Sequence, residues 1–147
     1  MAGFFPAPTN VALTVYEVAL AANVTLNQNT LTTVLQSPTL PVGTYVVDFG
    51  AAVLIGATGE SVDLTAVMSS GSGTFLGQYS DTIGYTSAVG AGAIPKTSMS
   101  FVVIITSPGV ITIQAEMAGN TTASSVLSVS HTNGYAAVSG MVITKVQ

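Results

Sequence analysis

His131 is the single histidine of this chain, and there is no cysteine, so a catalytic histidine has one candidate and thiolate chemistry has none. A Ser–His–Asp arrangement needs a base held by a carboxylate and a nucleophile held by that base. Serine and aspartate are available, but no nucleophile elbow or comparable local signature surrounds them. His131 therefore reads as a strand-end or turn residue. A structural zinc site needs four nitrogen or sulfur ligands, and one is present. Calcium needs several converging oxygens, and Asp48, Asp63 and Asp81 are scattered without loop spacing. A cation shared on an axis by one carboxylate from each of several copies is the remaining metal arrangement. The glycines of "GSGTFLG" at 71–77 precede a strand pattern rather than a helix, which rejects a phosphate loop. Asn23-Val-Thr and Asn120-Thr-Thr match the glycosylation acceptor pattern, which arises readily by chance in a threonine-rich chain. Tyr79, Tyr85 and Tyr135 are too few to argue a sugar platform. The expectation is a protein without catalytic residues, cofactor or metal.

Composition narrows the partners. Only 5% of the 147 residues are charged, against an average of about 25%. The cations are Lys96 and Lys145 alone, and the net charge is −4. Nucleic-acid binding is driven by phosphate neutralisation, which two lysines cannot supply. The most apolar runs, "AAVLIGA" at 51–57 and "FVVII" at 101–105, fall far short of the roughly 20 residues a membrane-spanning helix needs. No basic segment precedes an apolar stretch at the N-terminus, so a standard secretory signal is not expected. A nearly uncharged chain stays in solution through its hydroxyls or by hiding surface in an assembly.

The elements that would carry any site are strands. Val, Ile and Thr supply 48 residues, and 15 glycines punctuate them, a composition that favours strands and turns. "GTYVVDFGAAVLIG" at 43–56 puts Tyr45, Val47, Phe49, Ala51, Val53 and Ile55 on one face. "ESVDLTAVM" at 60–68 places Val62, Leu64, Ala66 and Met68 together, and the intervening "ATGE" with Gly59 predicts a hairpin. "TLTTVLQS" at 30–37, "TFLGQYS" at 74–80, "SMSFVVIIT" at 98–106, "VITIQAEM" at 110–117 and "SVLSVSH" at 125–131 read as further strands. Residues 81–97 predict a long connection crossing between sheets, and Asn133–Gly134 predicts a tight turn. "VALTVYEVALAANVTL" at 11–26 reads as strand on its β-branched content, although Val11, Val15, Val18 and Ala22 also fit a helical stripe behind Asn10. The sum is an all-β antiparallel sandwich of eight to ten strands, jelly-roll-like. It occupies residues 24–147, preceded by an arm and lead-in segment at 1–23.

Two segments suggest contacts beyond one domain. The arm "MAGFFPAPTN" pairs Phe4 and Phe5 with Pro6 and Pro8, which favour an extended backbone. It can fold back on its own domain or anchor on another protein. The closing stretch "GYAAVSGMVITKVQ" at 134–147 alternates like a strand but is small or apolar on both faces. Such a strand is either central within one sandwich or buried between copies.

"LPVGTYVVDFGAAVLI", "SPGVITIQAEM" and "GYAAVSGMVITKV", the last with the step Ser139, Gly140 and Met141, resemble successive strands of the complement globular head and tumour-necrosis-factor-like jelly-roll superfamily. The resemblance covers roughly residues 24–147. Phage virion proteins carry such heads as decoration proteins, head fibres and tail-fibre tips, and a chain of low charge with no cysteine and no expected secretory signal resembles that branch more than the secreted one. It implies a homotrimer around a three-fold axis, with the last strand near the centre. On that reading Tyr135, Ala137, Met141 and Ile143 face neighbouring copies and the even-numbered residues face the core, or the assignment is reversed. It further implies a capsid decoration protein on the virion surface, with the major capsid protein as partner and Phe4, Phe5, Pro6 and Pro8 as docking arm. A receptor- or glycan-binding tail-fibre tip is the alternative. A hydrolase or lyase on the same scaffold is disfavoured, because acid–base residues do not cluster.

Overall fold

A computed structural model describes residues 12–54, 61–69, 71–84, 96–118, 125–128 and 139–146. Their regular elements are all strands: β1 (Val15–Ala19), β2 (Val24–Leu26), β3 (Thr32–Gln36), β4 (Gly43–Leu54), β5 (Ser61–Met68), β6 (Gly73–Gly77), β7 (Ser80–Gly84), β8 (Lys96–Ile105), β9 (Ile111–Ala118), β10 (Ser125–Ser128) and β11 (Gly140–Lys145). They form two antiparallel sheets, so the molecule is an all-β sandwich. The larger sheet has seven strands with β4 at its centre. β8 lies on one side of β4 with β6 beyond it; β11 and β10 lie end to end on the other, with β1 outside β11 and β2 outside β10. The smaller sheet runs β3-β9-β5-β7.

Alternation builds the core. Tyr45, Val47, Phe49, Ala51 and Val53 of β4 and Met99, Phe101, Val103 and Ile105 of β8 are buried. They meet Val62, Leu64 and Ala66 of β5 and Ile111, Ile113, Ala115 and Met117 of β9 in one hydrophobic cluster. These are the residues that period-2 reading assigns to one face of each strand.

Pairing departs from that reading. No ladder among the described residues joins strands adjacent in sequence. β4 and β5 are not the expected hairpin around Gly59: β4 belongs to the large sheet and β5 to the small one. Each has one strongly apolar face, and placing them in opposite layers turns those faces toward each other. The segment "TFLGQYS" likewise divides, because Gly77 takes a left-handed conformation (φ 99°) that glycine adopts without a Cβ penalty. Beyond it β6 stays with β8 while β7 pairs with β5. The connection expected at 81–97 is shorter than that, because residues 81–84 belong to β7 of the small sheet and 96–97 to β8 of the large one; residues 85–95, Gly59 and the Asn133–Gly134 turn lie outside the described residues. The ambiguous stretch at 11–26 supplies β1 and β2. Because β1 pairs with β11 from Val15↔Thr144 to Ala19↔Gly140, the sandwich begins ahead of residue 24.

One buried polar side chain ties the sheet's lower end. Tyr45 is fully buried and its hydroxyl donates to the Pro41 carbonyl at 2.8 Å. Burial pushes its phenol above the ordinary value of 10.0, with the neighbouring Tyr16 adding to the shift. A folded-state pKa raised above the unfolded one means that the stabilisation is fully present below the unfolded pKa and is lost as pH rises through the folded value. Tyr45→Phe should therefore cost about 1 kcal/mol at pH 7, the net worth of the hydrogen bond, and should lose less stability than wild type between pH 9 and 11. Urea denaturation at both pH values checks this. An equal loss in the two proteins would remove Tyr45 from the alkaline transition.

Candidate interaction surface

The outward faces of the two sheets differ in kind. On the small sheet the outward positions include Ser61, Asp63, Thr65, Thr112, Gln114, Glu116 and Thr33, largely hydroxyls, amides and carboxylates. On the large sheet the register aligns Val15, Thr144, Val46, Val102 and Leu76 in one row across five strands. Ile104 and Val142 extend this apolar surface, and Val146 continues it past β11, where its amide donates to the Thr44 carbonyl at 2.8 Å. Val15, Leu76, Ile104, Val142 and Val146 are 38–51% exposed and make up five of the nine large exposed hydrophobics among the described residues. Isolated exposed apolar residues are ordinary, but contiguity on one face marks an interaction surface.

Beside this row lies a depression of ≈ 440 Å³ lined by Glu17, Val18, Ala19, Asp48, Phe49, Gly50, Ser98, Gly140, Met141 and Val142. Its floor is a row of small residues, Ala19, Gly140, Gly50 and Ser98, in register on four neighbouring strands. Glu17, Val142 and Asp48 of the next row, which continues to Ser100 on β8, form its wall. Asp48 accepts a 2.7 Å hydrogen bond from the Ser100 hydroxyl. The two glycines leave backbone exposed where other positions carry side chains, which suits close approach by another backbone.

Of the two phases left open for the terminal strand, the structure takes the one with Met141 and Ile143 inward. Met141 and Ile143 are 2% and 0% exposed within a single copy and belong to its own core. They do not face a neighbour; the outward residues of β11 are Val142 and Thr144. The phase follows from register, since Ile143 lies opposite Val47 and Met141 opposite Phe49, both core residues, and paired residues share a face. Tyr135 and Ala137, the arm residues Phe4, Phe5, Pro6 and Pro8, and His131 all lie outside the described residues.

The carboxylates considered for a metal are dispersed. Asp48 is on the outer face of the large sheet and Asp63 on that of the small one. Asp81 sits at the seam, accepting from the Thr97 hydroxyl of β8 and the Thr82 amide. Among the described residues no three His, Cys, Asp or Glu side chains gather to hold an ion. Tyr79 stacks on Phe75 with centroids 5.3 Å apart and so closes the corner between β6 and β7. No helix of the described residues is long and apolar enough to cross a membrane.

The face that sequence reasoning missed carried a signal. β4 has Val46, β8 has Val102 and Ile104, and β11 has Val142 on the face opposite the core. Three adjacent strands with apolar residues on both faces form a contiguous outer apolar patch, where one such strand is explained by a central position.

Comparison with known proteins finds likeness in fold alone. No protein-family model and no curated protein matches the sequence. The fold is similar to a mutant VP2 protein of infectious bursal disease virus in derived T=1 particles, with a TM-score of 0.50, 11% identity and coverage of 99% of this chain and 40% of that one. It is equally similar to a chain of the T13 particle of the same virus (TM-score 0.50, 11% identity, 99% and 39% coverage). A third match is the structure of the Gt strain (TM-score 0.50, 11% identity, 99% and 42% coverage). This chain spans about two fifths of the length of those proteins.

Proposed function

We propose that this chain is a virion structural protein that decorates a phage capsid as a homotrimer and performs no catalysis. The observation that carries the reading is the apolar outer face of the large sheet, exposed in one copy and continuous across five strands. Burial of such a face by other copies offsets its exposure, and a chain with 5% charge has little else to keep it from associating. The likeness to a viral capsid protein supports the virion setting. In this trimer the outward residues Val142 and Val146, with Val15, Val46, Val102 and Leu76, take the interface role, and the core-facing Met141 and Ile143 hold the strand in place.

Attachment to the major capsid protein falls to the N-terminal arm. Phe4 and Phe5 lie in a segment whose Pro6 and Pro8 restrict the backbone and favour an extended form, which would lower the entropy lost on docking. Two phenylalanines moved into a groove contribute roughly 3–6 kcal/mol before ordering costs. Three arms on one trimer convert a weak contact into firm attachment through effective concentration. Deleting residues 2–10 should leave the oligomer folded, with unchanged melting, and should abolish its co-sedimentation with capsids. Normal capsid binding by the truncated protein would place attachment in the loops of the head instead.

A further inference from the structure

The outer face of the large sheet carries two unmatched charges at opposite sides. Glu17 is exposed on β1, at the sheet's edge, and Lys96 is exposed at the start of β8, three strands away. Neither side chain makes a hydrogen bond or ion pair among the described residues. Register separates them by three strand spacings and by four residues along the strands, roughly 20 Å, which no pair of side chains in one copy can bridge. Two other charges on or near this face have hydrogen-bond partners of their own. Asp48 is bonded to Ser100, and Lys145 donates to the Val42 carbonyl at 3.2 Å with its ammonium 5.9 Å from the Tyr45 ring centroid. Lys145 and Lys96 are the only cations of the chain.

Burying this face between copies would enclose the Glu17 carboxylate, and a buried carboxylate without a partner is strongly unfavourable. A cyclic assembly brings the β1 side of one copy against the β8 side of the next, because its contacts are head-to-tail. We infer that Lys96 of one copy pairs with Glu17 of the next and so selects a ring over other packings of the same apolar face. This rests on the self-association proposed above and names its specificity element. Apolar contact between flat sheets is non-directional, and a charge at each side supplies direction and register.

Sedimentation velocity on the full-length wild type, Lys96→Glu, Glu17→Lys and the double swap tests it, with circular dichroism confirming that each variant is folded. Both single variants should associate at least tenfold more weakly than wild type in low salt, and the double swap should recover most of that loss. Wild-type association should also weaken as sodium chloride rises from 0.05 to 0.5 M. Single variants that assemble like wild type, or a double swap no better than either single change, would overturn the pairing while leaving self-association intact. A wild type that stays monomeric at micromolar concentration would overturn both.

Discussion

Ile143→Asp is expected to yield no folded protein, whereas Val142→Asp, one residue earlier on the same strand, is expected to fold and fail to assemble. Ile143 is fully buried between the sheets, opposite Val47. A carboxylate there has no described cation beside it, and an unpaired buried charge costs several kcal/mol against a total stability of about 5–15 kcal/mol. Met141→Asp should behave in the same way, since Met141 is 2% exposed in the same core. Val142 points outward and is 40% exposed, so the single copy should lose under about 1 kcal/mol. Between copies the same change puts a charge beside the Glu17 and Asp48 of its own row, and a loss of about 2–5 kcal/mol in association corresponds to roughly 30-fold or more. Melting curves and light scattering on the three variants separate the two outcomes. Equal unfolding of all three would show that the outer face is part of one copy's stability.

Gly73→Ala should be the most damaging single-methyl change in the described residues. A Cβ at Gly73 would stand 2.0 Å from the Ile104 carbonyl oxygen and 2.9 Å from its carbon. These are backbone atoms of β8 in the ladder that holds β6, where Gly73 pairs with Ile105, so no side-chain rotation relieves the clash. Displacing that end of β6 would loosen Phe75, which packs edge-on against Phe101 with centroids 5.5 Å apart. Overpacking of this kind costs about 1–3 kcal/mol, or a fall in melting temperature of roughly 2–12 °C for a domain this size. Calorimetry on the variant measures it. An unchanged melting temperature would mean that β6 contributes nothing to global stability.

Much of the fold was legible in the sequence because β4, β5, β8 and β9 alternate strictly and long enough to fix their faces. The alternation from Tyr45 to Val53 names which residues are buried without any knowledge of partners. It does not name the partners, and here local proximity misleads. Residues 57–60 carry a good turn composition, yet β4 pairs with β8, β10 and β11 instead of β5, because two half-apolar strands joined by a short link can stack across a core as well as pair within a sheet. The division at Gly77 is hidden for a similar reason: its left-handed backbone is a property of conformation that glycine permits but does not dictate.

The apolar outer face of the large sheet was half legible. The doubly apolar character of residues 134–147 pointed to burial on two sides, but strand phase cannot be read when both faces look alike. Pairing with β4 fixes that phase and moves the outward role from Met141 and Ile143 to Val142. The row from Val15 to Leu76 draws on five strands spread over most of the chain, and only the sheet order brings them together.

The mass of the full-length protein in solution tests most directly whether the outer face of the large sheet joins copies of this chain. Sedimentation equilibrium at micromolar concentration and physiological salt should give three times the 14.7 kDa of one chain, with no monomer detectable. A stable species of one chain mass, folded and unchanged on further concentration, would contradict it.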